Sequence, residues 1–388
     1  MSQNSTVRLA VIGLGNIAGQ HIENIRSGAV ADCKVTALCS RSASPLSEDL
    51  AEDLGTPHFT DMNSLIGSGC CDAVLIATPT WNHFDAGAAA LEAGLHVMME
   101  KPIGLSVLQG EQLLALQRKE QVFALMLNQR TDPLFLTMRE VIQSGQLGPI
   151  TRTHWTMTNW FRPEVYFQVS DWRATWRGEG GGLLVNQCIH NLDIFQWLCG
   201  MPSSVQSFCQ FGKYHDIEVE DEATAYFEYP DGATGLFVGS TGEAPGVNRF
   251  DIVGDEGALY FDGERLLLSR NTPATSAYNK DTRDMFGMPQ CEVVDITPPR
   301  EGNQHAAVLN NFVCAIQRDE PLIAPAQEGL ASLSLANAML LSTWAQEKIE
   351  LPLDSARYQA ALEQRVATST LRDKADIAAR VDMNASYR

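Results

Sequence analysis

Long apolar runs are missing from this sequence; none approaches the ~20 residues that a membrane span needs. Its start, MSQNSTVRLAVIG, lacks the charged, apolar and small-residue regions of a secretory leader, so export is not expected. Basic residues are scarce. The 28 Lys and Arg stand against 47 Asp and Glu, a net charge of −19 that argues against nucleic acid or an anionic membrane as partner. A small anionic ligand is still allowed, because one site can be basic on an acidic surface. The nine cysteines, at 33, 39, 70, 71, 188, 199, 209, 291 and 314, contain no C-x-x-C pair of a zinc or redox site. Buried reduced thiols in a cytoplasmic protein, with no metal site, are the expectation. No internal repeat or low-complexity tract is visible. A chain of 388 residues exceeds one core, so two domains are expected.

From residue 7 short apolar runs alternate with helical stretches. VRLAVIG, KVTALCS, DAVLIAT, HVMME and VFALMLN read as strands, separated by helices near 16–26, 46–54, 82–93 and 106–120. Runs such as AVLIA show no period-2 alternation, as a parallel sheet covered on both faces requires. The fold class expected is α/β, an N-terminal Rossmann domain followed by an α+β domain.

The first turn reads Gly13-Leu14-Gly15-Asn16-Ile17-Ala18, a G-x-G-x-x-A between a strand and a helix. Gly13 permits the tight turn, Gly15 admits a pyrophosphate, and the amides at Asn16 and Ile17 face it from the helix N-terminus. Ala18 keeps the helix close to the sheet. NAD sites usually end the second strand with an acid, but this strand ends Cys39-Ser40-Arg41-Ser42. A hydroxyl and a guanidinium suit a 2′-phosphate, so NADP is favoured over NAD.

Ligands of such sheets bind beyond the carboxyl ends of the strands. Thr78, Pro79, Asn82 and His83 in TPTWNH lie on that edge, as do Glu100 and Lys101 in MMEKPIG and Gln129 after the next strand. All are counted as cofactor contacts. Pro102 restricts Lys101 to extended geometry and is compatible with a cis bond that aims the side chain. Lys101 is therefore read as a charged donor over the cofactor crevice.

In GGGLLVNQCIHNLDIFQWLCG, residues 180–200, a helical pattern carries Val185, Ile189, Leu192 and Phe195 on its apolar stripe. Asn186, His190 and Asp193 fall in file on another face. A histidine is the usual group to take a proton from an alcohol as hydride leaves carbon; unperturbed, it titrates around ~6.5. Upstream, 155–176 is rich in aromatic residues, which suit the apolar face of a sugar or cyclitol ring. Trp155 and Phe167 are assigned to the core; Trp160, Arg162 and Tyr166 are candidate substrate contacts. Beyond 200 the alternation switches to period 2 with D-G turns, the pattern of an open, mainly antiparallel sheet whose exposed face needs cover.

Taken together, GLGNIA, TPTWNH, EKP and the 180–200 segment resemble the glucose–fructose oxidoreductase / inositol dehydrogenase / rhizopine-catabolism (Gfo/Idh/MocA) oxidoreductases, from about residue 7 to about 353. That resemblance makes His190 the catalytic histidine and Lys101 the catalytic lysine, each binding the reacting hydroxyl. The family's usual D-x-G-x-H is Asn186-Gln187-Cys188-Ile189-His190 here. An amide at 186 orients a hydroxyl but is no base, so proton removal falls on His190, and Cys188 is read as packing. Trp172-Arg173 resembles the pair that contacts the nicotinamide end of the cofactor. Homodimers or homotetramers through the C-terminal sheet are also implied. The expected division is 1–128 for cofactor, 129–354 for substrate and oligomerisation, and a helical tail at 355–388 without assigned role. The expected activity is NAD(P)-dependent oxidation of a secondary alcohol of a sugar, sugar derivative or cyclitol. The rivals are a glycoside hydrolase using transient oxidation and a non-catalytic sensor of the same fold.

Overall fold

The structure is a computed structural model, and it describes residues 6–372. The chain divides into two units, one of residues 6–131, 178–180 and 302–333 and one of residues 132–177, 181–301 and 334–372.

The first unit holds six strands: β1 (Val7–Ile12), β2 (Cys33–Cys39), β3 (His58–Phe59), β4 (Ala73–Ile76), β5 (His96–Met99) and β6 (Phe123–Leu125). They are all parallel, in the order β3-β2-β1-β4-β5-β6. The order reverses direction between β1 and β4, where open α/β sheets bind ligands. Strand β4 is buried at every residue, so its lack of alternation reflects cover on both faces. Helices Asn16–Arg26 and Gln304–Arg318 share one core with β1, in which Leu9, Val11, Ile22, Leu309 and Phe312 meet. The local signals agree with the elements: Ser44 caps Pro45–Leu54 through a capping box, and Ser106 caps Val107–Leu116.

Polar groups also sit inside this unit. Glu100 Oε1 lies 2.8 Å from His21 Nε2, and the His21 ring meets His305 edge-on at 5.6 Å. Burial alone raises the Glu100 carboxyl, but the hydrogen bond and charge of His21 outweigh it and hold it at about 2. Burial drives the His305 imidazole down to about 4, against the pull of Glu100. Acid should therefore destabilise the fold in two stages. Below ~6.5 the unfolded chain protonates this histidine before the fold can, so stability falls until the folded ring titrates. Glu100 then adds a loss between the unfolded carboxylate value of ~4.3 and its own low value. The first stage is worth about 3 kcal/mol, from the size of the His305 displacement. Urea midpoints measured from pH 7 to 4.5 check it; a flat profile would rule it out.

The second unit is built on nine strands: β7 (Ile150–Met157), β8 (Ser204–Phe211), β9 (Glu220–Glu228), β10 (Thr234–Ser240), β11 (Asn248–Gly254), β12 (Gly257–Phe261), β13 (Leu266–Thr272), β14 (Gln290–Asp295) and β15 (Ile349–Glu350). Their order is β14-β13-β12-β11-β7-β10-β9-β8-β15, and only the β7–β10 pair is parallel. One face packs Trp155, Phe227, Phe237 and Phe250 against Phe195 of helix Ile189–Cys199, all at 0% exposure. Trp155 stacks on Phe250 at 4.2 Å. The other face leaves Phe208 64% and Tyr226 42% exposed, the alternation expected of an open sheet.

Several expectations hold and some need correction. Trp155, Phe167 and Cys188 are core residues, as read from sequence. Cys39, Cys71 and Cys209 are buried too, but Cys291 is exposed, because β14 is the edge of its sheet. The helix expected over 180–200 begins only at Ile189. Residues 183–188 form turns, so Asn186 precedes the helix and does not share a face of it with His190. Glycine is the physical reason: a Cβ on Gly182 would lie 2.4 Å from the Glu220 carbonyl oxygen, so the backbone runs against β9 before the helix starts. The helical reading of the tail holds over Ser355–Val366, and its part from 373 to 388 lies outside the described residues.

Candidate active site

In the first unit, the turn after β1 is shaped by close approach. Gly13 has φ +89°, and a Cβ there would lie 2.6 Å from the Ala77 carbonyl oxygen. Gly15, the N-cap of helix Asn16–Arg26, has no side-chain cap, and a Cβ on it would meet nothing within 4 Å. The first-turn amides of Asn16 and Ile17 thus border open space at the positive end of the helix, while Ala18 is fully buried on the other side. On the same sheet edge, Thr78 Oγ1 and Gln129 Oε1 are buried without a hydrogen-bond partner. Open space at a helix start and orphaned polar atoms beside it fit a dinucleotide.

The loop after β2 differs from its reading. Ser40 Oγ donates to the Ser42 carbonyl at 2.9 Å and lies 2.8 Å from His58 Nε2. Its one proton is spent, so the hydroxyl receives from His58 and is not a ready donor to a 2′-phosphate. Arg41 is exposed, with its guanidinium carbon 6.0 Å from the centre of the Trp81 ring. His58 and Trp81 were missed from sequence; only the pairing of β2 with β3 brings His58 beside Ser40.

Residue pairing of Ile76 with Met99 brings the segments that follow β4 and β5 to one edge. Lys101 stands there, half-buried, and the Lys101–Pro102 bond is cis. Glu100 turns inward to His21, so its carboxylate serves the interior. His83 is 1% exposed, with Nδ1 2.7 Å from the Pro102 carbonyl and Nε2 2.9 Å from that of Thr78. It braces the two segments against each other. Burial pushes its imidazole down, and the two carbonyls pull it back. Pro79 and Asn82 lie on the same edge, half-buried.

The second unit gathers the substrate candidates. Trp160 Nε1 donates to Asn191 Oδ1 at 3.3 Å, and Gln187 Nε2 donates to the Tyr166 hydroxyl at 3.2 Å. The aromatic segment is therefore tied to residues next to His190 and next to Asn186. Asn186 and His190 are both half-buried, accessible enough to meet a ligand. Arg173 Nη1 donates to Tyr166 at 2.6 Å and stacks over Trp172 at 4.8 Å. Arg162 lies over Trp160 and Tyr166 at 5.1 and 5.2 Å.

Two adjacent acids on β9 hold these segments. The fully buried Glu220 carboxylate accepts from the amides of Gly182 and Leu184 at 2.9 Å, fixing the turns that carry Asn186. Asp221 accepts from the successive amides of Lys213, Tyr214 and His215, at 3.0, 2.7 and 3.2 Å. His215 in turn reaches the Arg162 carbonyl at 2.8 Å. Neither acid was singled out from sequence, since what they hold lies up to 59 residues away along the chain (Asp221 to Arg162).

A family profile described as the oxidoreductase family with an NAD-binding Rossmann fold matches residues 7–128. The GFO/IDH/MocA C-terminal domain profile matches residues 135–260. The chain is 26% identical over 270 residues to the myo-inositol 2-dehydrogenase of Thermotoga maritima, covering 67% of this chain and 76% of that one. It is 24% identical over 359 residues to the scyllo-inositol 2-dehydrogenase (NADP(+)) of Bacillus subtilis, 89% of this chain and 96% of the other. Its fold superposes on the WlbA dehydrogenase of Bordetella pertussis, solved with NADH and UDP-GlcNAcA, at TM-score 0.75. That pair is 23% identical and covers 90% of this chain and 100% of the other. With both halves matched in order, the chain belongs to the Gfo/Idh/MocA oxidoreductases.

Proposed function

We propose that this protein oxidises a secondary alcohol of a sugar, sugar derivative or cyclitol, in the first unit binding NAD or NADP. The observation that carries the reading is the set of ties in the second unit, where Trp160 and Tyr166 bond to the immediate neighbours of His190 and Asn186. Aromatic faces beside an amide and an imidazole suit a polyol ring. When bound, the nicotinamide supplies the hydride acceptor. His190 takes the hydroxyl proton, Asn186 orients the hydroxyl, and the Lys101 ammonium steadies the developing alkoxide. Gly13, Gly15, Thr78 and Gln129 hold the cofactor, with Arg41 and Trp81 toward its adenosine end and Trp172-Arg173 toward its nicotinamide end.

The cofactor choice rests on Arg41. No acid ends β2, and a guanidinium there favours the 2′-phosphate of NADP even though Ser40 is committed internally. The division into 1–128, 129–354 and 355–388 is retained as the functional one. The exposed sheet face with Phe208 and Tyr226 supports a homodimer or homotetramer. Nine unpaired cysteines suit a reducing compartment, the cytoplasm.

A panel of sugars and inositols with each cofactor, followed at 340 nm, tests the proposal. Reduced cofactor should accumulate with at least one cyclic polyol, and NADP should bind more tightly than NAD. Release of sugar without net reduction would indicate a recycling hydrolase, and binding without either would indicate a sensor. Clear preference for NAD would remove the role given to Arg41.

A further inference from the structure

Two guanidinium groups flank a single phenol in the second unit. The Arg162 and Arg173 carbons lie 5.2 and 4.7 Å from the centre of the Tyr166 ring. The phenol oxygen receives Arg173 Nη1 at 2.6 Å and Gln187 Nε2 at 3.2 Å. With its lone pairs turned to those donors, its own O–H is one more donor. Every polar group in this cluster therefore donates, in a protein that carries 47 acidic residues against 28 basic ones.

Burial pulls the Arg162 guanidinium below the usual arginine value, Tyr166 opposes this, and the charge of Arg173 adds to the fall. The ionisable groups acting on Arg162 are thus a phenol and a second cation. Holding like charges together while partly desolvated is unfavourable unless an anion joins them.

The arrangement is also braced. Arg162 N–H donates to the Thr241 carbonyl at 2.9 Å, and its own carbonyl is met by His215 at 2.8 Å. Directly after Arg173, Ala174 has φ +57°, a left-handed conformation that costs a non-glycine residue about 1 kcal/mol. Strain of this kind gathers at ligand clamps.

We propose that the substrate bears a carboxylate, clamped between Arg162 and Arg173, so that a sugar acid is preferred to its neutral counterpart. The planar fork of a guanidinium matches a carboxylate in two-point contact, and Tyr166 supplies a third donor. The inference rests on the reading of this unit as the one that takes the alcohol. The same chemistry would suit the cofactor pyrophosphate, and the experiment separates the two.

Matched pairs, D-glucose with D-glucuronate and D-galactose with D-galacturonate, are assayed at 340 nm and titrated by calorimetry into NADH-loaded protein. At least one acid should exceed its neutral partner by tenfold or more, and the advantage should shrink as salt is raised. Arg162→Met should erase the advantage, Arg162→Lys should restore part of it, and NADH affinity should stay within threefold. Neutral preference, or an acid preference unmoved by Arg162→Met, overturns the clamp. A loss of NADH affinity in place of acid discrimination assigns the arginines to the cofactor and also overturns it. Turnover confined to neutral sugars keeps the dehydrogenase reading and rejects the clamp. Acid binding with no turnover of either member keeps the clamp and rejects the dehydrogenase. Absence of binding by all four sugars rejects both.

Discussion

Lys101→Met should lower kcat by about 10²–10³-fold, the usual cost of removing one preorganised donor from a developing oxyanion. Methionine keeps the length of the stem and removes only the cation. The ionised Glu100 next door, held well below the ordinary carboxylate range, favours a charged Lys101, which in turn lowers Glu100 and His305. The residue is placed by the end of β5, one position past Glu100, whose amide still bonds to the Ile76 carbonyl at 2.9 Å. The expected variant is folded, binds cofactor within a few-fold of wild type by fluorescence titration, and turns over slowly at saturating substrate. A folded variant whose kcat stays within tenfold of wild type would take Lys101 out of the chemistry.

His190→Asn should cost about 10²–10⁴ in kcat, the range spanned by general-base catalysis. The amide preserves one hydrogen-bonding position and cannot accept the hydroxyl proton at neutral pH. In wild type, the oxidation rate should fall on the acid side as an imidazole protonates, an event near ~6.5 for an unperturbed ring. That limb should vanish in the variant. Substrate affinity should change far less than turnover, because Asn186 and the aromatic residues still bind the ring. An unchanged acid limb in His190→Asn would move the base elsewhere, with neutral Lys101 the next candidate.

How far the sequence carried the reading depends on where each residue finds its partners. The Rossmann unit was legible because its signals are local: unbroken apolar strands such as AVLI, a glycine turn and short helices, each readable within about fifteen residues. The open sheet was legible by its period-2 alternation, which survives as one buried and one exposed face. The start of the 189–199 helix was misplaced because Val185 is as buried as Ile189, and periodicity alone extends a helix into buried turns. Ser40 looked like a phosphate donor because its commitments to Ser42 and His58 are invisible until β2 and β3 pair. The roles of Glu220 and Asp221 were not legible at all. Their partners are backbone amides, which leave no trace in side-chain type.

Those two acids have a mechanical consequence. Glu220 fixes the turns bearing Asn186, Asp221 fixes His215 and through it Arg162, and the two are covalent neighbours on β9. Consecutive α-carbons keep a constant spacing of ~3.8 Å, so one dipeptide acts as a common datum for both walls of the substrate site. A rigid slide of β9 would carry the walls together and preserve the gap between them. Inserting one residue between 220 and 221 would instead throw them out of alignment at a stroke. Variation in ring size among related substrates is therefore best sought in the side chains of the two walls, with the spacing between their anchors held constant.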